Sequence, residues 1–242
     1  IATLIQSELI SVNVKSLVFK LENRQEIKAG QHYDIKLTAP NGYVAERSYS
    51  VASPPEQSDE IEFGVQLLAD GEVSPCLWQM KPATAGKPGD QVEIRGPIGG
   101  HFTWCHTMPG PLVLIGGGSG VVPLVSMIRH WRENLNLPDQ ENKLNSERKV
   151  ILLASFRSLE HVLYKSELEK LALENKNFKF VKVLTDHEAR IDSEKLKSVL
   201  GEVINKMPMI HICGPTKFVE AMASNLVALG TNPHLIKTER FG

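Results

Sequence analysis

What the chain lacks narrows its reading first. Only three cysteines stand among 242 residues, at positions 76, 105 and 213. That spacing is neither a disulfide framework nor a metal-ligand set. No C-x4-C-x2-C run occurs, so a plant-type iron–sulfur cluster is not expected. So few thiols fit a reducing, cytoplasmic setting. Neither charge sign is in excess: 27 Lys and Arg against 28 Asp and Glu leave a net charge of −1. A nucleic-acid or anionic-membrane partner is therefore not indicated. No apolar run approaches the ~20 residues that a membrane span requires. There is no leader pattern, no internal repeat and no low-complexity segment. The chain starts at Ile1 rather than Met, which fits a trimmed terminus or a piece of a longer chain.

Against these absences, one stretch stands out. Residues 112–123 read LVLIGGGSGVVP. A strand-like apolar run ends in four glycines and a serine, and a helical pattern follows. Glycine lets the backbone turn tightly and lets a ligand approach where a Cβ would block it. The free N–H groups and partial positive charge of a helix start make such a turn an anion seat. Strand, glycine turn and helix together suggest a dinucleotide pyrophosphate site. A plain glycine turn between packed elements is the competing reading at this point.

The chain is long enough for one large domain or two ordinary ones, and at 42% hydrophobic it can bury a core. Residues 1 to about 107 read as short strands at 3–10, 12–21, 33–38, 46–52 and 61–68. Gly and Pro punctuate them, which predicts a closed antiparallel barrel of six strands. One helix interrupts it over 74–80, with Ser74 as N-cap and Pro75 at the first helical position. The segment 95–100, RGPIGG, reads as a turn-rich end to the barrel. After Pro109-Gly110-Pro111 the texture changes. Strands are expected at 112–115, 150–155, 178–185, 209–213 and 235–238, and helices at 121–134, 159–173, 193–200 and 215–229. A polar loop fills 136–148, and Gly230 closes the last helix. This βα alternation predicts a five-stranded, parallel, doubly wound sheet, with the domains divided as 1–107 and 108–242. In the strand order 3-2-1-4-5, the turns after the first and fourth strands, at Gly116 and at Cys213-Gly214-Pro215, face each other across one crevice.

In the barrel, Arg47-Ser48-Tyr49-Ser50 lies on a strand. Alternation places Arg47 and Tyr49 on one face, Ser48 and Ser50 on the other. An Arg can clamp a phosphate, a Tyr can cover a planar ring and a hydroxyl can meet a ring nitrogen. Gly71-Glu72-Val73-Ser74, leading into the barrel helix, is a second possible phosphate seat.

Taken in order, these motifs resemble the ferredoxin–NADP reductase family. They are ERSYSVAS at 46–53, GEVSPCLW at 71–78, RGPIGGHF at 95–102, IGGGSGVVP at 115–123, HICGPTKFVEAM at 211–222 and the terminal KTERFG. The resemblance covers essentially the whole chain. It is strongest to bacterial two-domain flavin oxidoreductases that act as reductase components of oxygenases or desaturases. Gly242 after Phe241 departs from members that end on the aromatic itself.

The resemblance implies roles residue by residue. Arg47 would hold the FAD pyrophosphate, with Ser48 beside it. Tyr49 would lie on the flavin ring and Ser50 near its N5. Gly71, Val73 and Ser74 would cradle the flavin phosphates. Gly116, Gly117, Gly118 and Gly120, with Pro123, would seat the nicotinamide dinucleotide. Cys213, in the Cys213-Gly214-Pro215 turn, would sit near the nicotinamide C4. Phe241 would shield the flavin face, with Glu239 a polar neighbour of the hydride path. FAD is the implied flavin, with FMN the alternative. For the nicotinamide, Arg157 suits a 2′-phosphate whereas Thr185-Asp186 suits a ribose hydroxyl, and the balance leans to NADH over NADPH. The chemistry then belongs to the cofactors, and His101, His106, His130, His161 and His187 are discounted as catalytic. The implied acceptor is a ferredoxin or an oxygenase or desaturase component. A free-flavin or ferric-chelate reductase is the alternative. A non-catalytic electron-transfer subunit is a third reading, weakened because similar electron-bridging subunits usually end in a four-cysteine segment.

Overall fold

The alternation at Ile61, Phe63 and Val65 shows how the first half is built. These three are buried while Glu60, Glu62, Gly64 and Gln66 are only partly so. A computed structural model describes residues 1–57, 59–136 and 145–241 of the chain. Residues 137–144 of the expected 136–148 loop, and Gly242, lie outside the described residues.

Six antiparallel strands form the first sheet: β1 (Ala2–Ser11), β2 (Val14–Leu21), β3 (His32–Thr38), β4 (Val44–Ser50), β5 (Glu60–Gln66) and β6 (Gln91–Ile98). Their order is β4-β3-β6-β1-β2-β5. A bridge between Val51 and Phe63 joins the end of β4 to β5 and closes the barrel. Leu4, Leu17, Phe19, Tyr33, Ile35, Ile61 and Phe63 fill it. Each such side chain contributes roughly 1.5–3 kcal/mol by leaving water. Helix α1 (Ser74–Gln79) packs Leu77 into this core.

Two expectations for this half are corrected. Segment 95–98 is not a terminal turn but the last part of β6. The register slips between His32 and Asp34, and the resulting bulge takes up Gly96-Pro97. Gly96 packs on the Tyr33 ring, where a Cβ would come within 2.4 Å. Nor is Ser74 the N-cap. Val73 holds that position, and the Ser74 hydroxyl instead accepts the Leu68 N–H at 3.0 Å.

The second half alternates strand and helix: β7 (Leu112–Gly117), α2 (Val121–Glu133), β8 (Val150–Phe156), α3 (Lys165–Glu174), β9 (Phe178–Leu184), α4 (Ser193–Leu200), β10 (Met209–Pro215), α5 (Thr216–Ala228) and β11 (Ile236–Phe241). All pairings are parallel, in the order β11-β10-β7-β8-β9, which is the expected 3-2-1-4-5. Leu112 and Leu114 face α2 and α3, whereas Val113 and Ile115 face α4 and α5. Apolar residues at every position of β7 are what a sheet covered on both faces requires. The expected helix at 159–173 begins only at Lys165. Leu159–His161 is a single 3-10 turn, and Tyr164 interrupts with φ +50°. The final strand runs to Phe241, three residues beyond its expected end.

The two halves share a core. Ala29, Ala52, Phe102 and Trp104 belong to the same buried cluster as Val121, Val122 and Trp131. Polar bonds reinforce it: Ser126 donates to the Ser53 carbonyl at 2.7 Å, and Arg129 reaches Glu62 and the Ala52 carbonyl. Among the described residues, no helix is long and apolar enough to cross a membrane.

Candidate active site

The glycine turn after β7 and the turn ending β10 are in direct contact. Residues Gly118–Gly120 form a 3-10 turn leading into α2. A Cβ on Gly120 would lie 2.3 Å from the Cys213 carbonyl oxygen. Gly118 takes φ +55° with nothing within 4 Å of its would-be Cβ, so this turn presents open backbone to a ligand. Gly116 and Gly117 are strand residues packed under Val121 and Phe218, and Pro123 is buried in the first turn of α2. Gly214 and Pro215 end β10, and Gly214, at φ +159°, packs against Phe218 and Gly117. The two turns that strand order was expected to set against each other are brought together.

β11 brings a third wall. Cys213 pairs with Glu239 across β10–β11, and Pro215 pairs with Phe241. Lys237, Glu239 and Phe241 share one face of β11 by alternation. That face looks toward the barrel: Lys237 donates to the Thr103 carbonyl at 3.0 Å, and Glu239 Oε1 lies 3.7 Å from His32 Nδ1. His32 is the β3 partner of Ser50. Thus Ser50, Cys213 and Glu239, remote in sequence, gather at the junction of barrel and sheet, whereas Phe241 stands exposed at the end of β11.

The chemistry of this junction is set by burial. Glu239 Oε2 is buried without a hydrogen-bond partner, and desolvation pushes this carboxyl up to about 7. Burial, with the Glu239 charge beside it, raises the Cys213 thiol well above its ordinary range. His32 is lowered, mainly by desolvation. A carboxyl that titrates near neutrality with an open oxygen is a group poised to take or give a proton.

The raised Glu239 value also ties stability to pH. Its folded value lies above the ordinary 4.5, so its contribution is fully present below about pH 4.5 and is lost as the pH rises through about 7. The gap corresponds to roughly 3 kcal/mol at most. Urea midpoints of the flavin-free chain between about pH 5 and 8.5 should show wild type losing stability relative to Glu239→Gln across that window. Parallel curves would contradict the burial argument.

On the barrel side the four-residue motif divides as alternation requires. Arg47 lies opposite Ile35 and Tyr49 opposite Tyr33, whereas Ser48 lies opposite Asp34. Ser48 donates to Asp34 at 2.6 Å on the other face, so its hydroxyl is not brought to the Arg47–Tyr49 face. Tyr49 packs on the barrel core, and burial pushes its hydroxyl up to about 12, so the ring is neutral. Arg47 is exposed and donates to Glu72 at 2.6 Å, and Tyr43 donates to the same carboxylate. Gly71 accompanies Glu72 in the loop before α1. Val73 and Ser74 are buried there, which leaves the loop backbone, rather than the Ser74 hydroxyl, facing out. At the far edge of the sheet, Arg157 Nε lies 3.5 Å from Asp186 Oδ2, and Thr185 donates to the Phe156 carbonyl.

Two family models match consecutive parts of the chain. The oxidoreductase FAD-binding domain matches residues 1–104 and the oxidoreductase NAD-binding domain matches residues 114–224. The chain belongs to the two-domain FAD- and NAD-binding oxidoreductases. Among curated relatives, this oxidoreductase is 30% identical to one subunit of the Na(+)-translocating NADH-quinone reductase of Klebsiella pneumoniae, over 81% of this chain and 49% of that protein. It is 27% identical to the reductase component of phenol 2-monooxygenase from a Pseudomonas species, over 90% of this chain and 58% of that protein. The chain spans about half the length of the curated relatives it matches. Among solved structures, the FAD/NAD-binding domain of a Vibrio cholerae nitric oxide dioxygenase superposes with a TM-score of 0.79 at 22% identity, covering 100% of this chain and 98% of that one. A ferredoxin NADP+ reductase from Neisseria gonorrhoeae gives 0.72 at 19%, covering 99% and 97%. These establish the fold, which is ferredoxin–NADP reductase-like.

Two features of this oxidoreductase carry no mark in its sequence. One is His32, brought to the junction only by strand pairing. The other is the Tyr43–Glu72–Arg47 chain, in which Glu72 lies 29 and 25 residues from its two partners. No local pattern points to either of them.

Proposed function

We propose that the chain transfers a hydride from NADH to a bound FAD and passes the electrons singly to a separate redox protein. The observation that carries this is the junction: the open glycine turn, the Cys213–Glu239 pair and the Ser50 strand converge where the two units meet. The orphaned Glu239 oxygen and the open backbone at Gly118 fit a ligand seated there. Bound flavin and nicotinamide supply the hydride chemistry. The chain supplies the rest. Arg47 exchanges Glu72 for the flavin pyrophosphate, and the Gly71–Ser74 loop backbone borders it. Tyr49 lays a neutral ring against the flavin, and Ser50 offers a hydroxyl to its ring nitrogen. The end of β7 at Gly116 and Gly117, the Gly118–Gly120 turn and Gly214 position the dinucleotide. Glu239 holds or moves a proton beside the reaction, the neutral Cys213 thiol borders the nicotinamide, and Phe241 excludes water from the flavin face.

We place the domain boundary at 107/108, with the flavin in 1–107 and the nicotinamide in 108–242. The family match to the first unit supports FAD rather than FMN. A ferredoxin or an oxygenase or desaturase component is the acceptor we infer, in line with the phenol 2-monooxygenase reductase relative, in a cytoplasmic setting. The alternatives are distinguished by turnover: fast reduction of free flavin or ferric citrate, with none of an iron–sulfur protein, would point to a small-molecule reductase instead.

NADH is favoured by the Arg157–Asp186 pair. The guanidinium that would attract a 2′-phosphate is already neutralised by a carboxylate that would repel one. Asp186→Arg should shift the NADPH/NADH ratio of kcat/KM by about 10–100-fold toward NADPH. A wild type that already prefers NADPH would overturn this part of the reading.

A further inference from the structure

Away from the redox junction, the segment leaving the barrel meets helix α2 in an unusual cluster. Cys105 Sγ lies 3.9 Å from His106 Nδ1, and His106 Nδ1 lies 3.4 Å from His130 Nε2. All three ligand atoms are within 4.8 Å of one another. A tetrahedral zinc with Zn–S of about 2.3 Å and Zn–N of about 2.0–2.1 Å requires sulfur–nitrogen edges near ~3.6 Å and nitrogen–nitrogen edges near ~3.4 Å. The His106–His130 separation meets this as it stands, and the Cys105–His106 separation needs to close by only about 0.3 Å.

The surroundings also fit a metal. His130 Nδ1 lies 2.6 Å from Glu56 Oε1. Donation of its N–H to that carboxylate turns the Nε2 lone pair toward the cluster, the carboxylate–histidine arrangement typical of zinc ligands. Asn134 donates both to Glu56 and to the His130 carbonyl, which fixes this second layer. Arg148 holds the His106 and Met108 carbonyls and so anchors the segment that carries the first two ligands. The backbone N–H of His106 points at His130 Nε2 from 3.4 Å, a long bond that a metal would replace. Charge closes as well. One thiolate and two neutral imidazoles leave a divalent ion at +1, which Glu56 offsets.

We propose that Cys105, His106 and His130 form a zinc site with one sulfur and two nitrogen ligands, its fourth position open to solvent. On binding, the Cys105 thiol gives its proton to solvent and the sulfur takes up the metal. Cys105 and His106 follow the barrel directly and His130 lies on α2, so the metal would pin the inter-domain segment to the nucleotide-binding unit. Residue spacing alone does not disclose such a site, because its third ligand is a helix away and its carboxylate comes from the barrel.

The flavin-loaded full chain, stripped with a chelator and re-equilibrated with Zn2+, tests this by elemental analysis and zinc X-ray absorption. One zinc per chain is expected, with a single sulfur at about 2.3 Å and nitrogen at about 2.0–2.1 Å, and a thermal midpoint that rises with zinc. Cys105→Ser should remove binding, Glu56→Gln should weaken it by about 10–100-fold, and Cys76→Ser, an exposed thiol on α1, should leave it unchanged. Substoichiometric zinc, a first shell without sulfur, or wild-type affinity in Cys105→Ser would overturn the proposal. The absorption spectrum of wild type decides the question even if a variant misfolds.

Discussion

Gly120→Ala should slow NADH-driven flavin reduction by about 100-fold while flavin occupancy stays that of wild type. The backbone at Gly120, with φ −62° and ψ −9°, suits alanine, so the effect is wholly one of space. The new methyl would lie 2.3 Å from the Cys213 carbonyl oxygen, 2.5 Å from its carbon and 2.7 Å from the Gly214 nitrogen. All three are backbone atoms, with no flexible side chain to swing aside. Relief must part the glycine turn from the end of β10, and those are the two walls between which the nicotinamide is proposed to sit. Displacements near ~1 Å at such a site carry large kinetic costs, and the overpacking itself costs about 1–3 kcal/mol. The proposed flavin contacts lie in the barrel and are not touched. Stopped-flow reduction under anaerobic conditions reads the rate, and the flavin-to-protein absorbance ratio reads occupancy. A variant reduced as fast as wild type would show that this turn does not position the nicotinamide.

Arg129→Ala should destabilise the fold by about 3–5 kcal/mol. Arg129 lies on α2 and bridges three parts of the molecule. It donates to Glu62 of β5 at 2.5 Å, to Glu167 of α3 at 2.7 and 2.9 Å, and to the Ala52 carbonyl at 3.1 Å, and its guanidinium lies 5.0 Å from the Tyr164 ring centroid. Only 14% of its side chain meets solvent. Burial alone would raise the Glu167 carboxyl, and it is the Arg129 hydrogen bond and charge that bring it below its ordinary value. Without this cation, Glu62 keeps only the Ser16 hydroxyl and Glu167 only the longer Arg132 contact at 3.4 Å, and two largely buried carboxylates share one pocket at the seam of the domains. The cost is that of uncompensated buried charge rather than of a lost attraction. Urea unfolding should therefore show most of the loss restored when Arg129→Met is combined with Glu62→Gln and Glu167→Gln. A loss below about 1 kcal/mol in Arg129→Ala, the range of exposed pairs, would refute the clamp.

The parts of this molecule that follow from local rules were legible in its sequence. Continuous apolar runs at 112–115 and 150–155, each followed by a helical pattern, announce a parallel sheet covered on both faces. The glycine turn marks the carboxyl end of that sheet, and the observed strand order places it against Cys213-Gly214-Pro215 as expected. Alternation correctly separated Arg47 and Tyr49 from Ser48. What local rules miss is tertiary. Gly96-Pro97 looks like a turn, but a bulge beside Tyr33 accommodates the pair inside a strand. Ser74 looks like a cap, but burial turned its hydroxyl back to the 68–74 loop. The residues joined only by folding carried no local signal at all. Arg129 and Glu62 are 67 positions apart, and His32 and Glu239 lie near opposite ends of the chain.

The proposed activity is hydride passing from a nicotinamide held by one unit to a flavin held by the other. Anaerobic titration of the purified, flavin-loaded chain with NADH tests this directly. The flavin absorption should bleach with one NADH consumed per flavin and return when oxygen is admitted. A flavin spectrum unchanged by excess NADH would contradict the central claim.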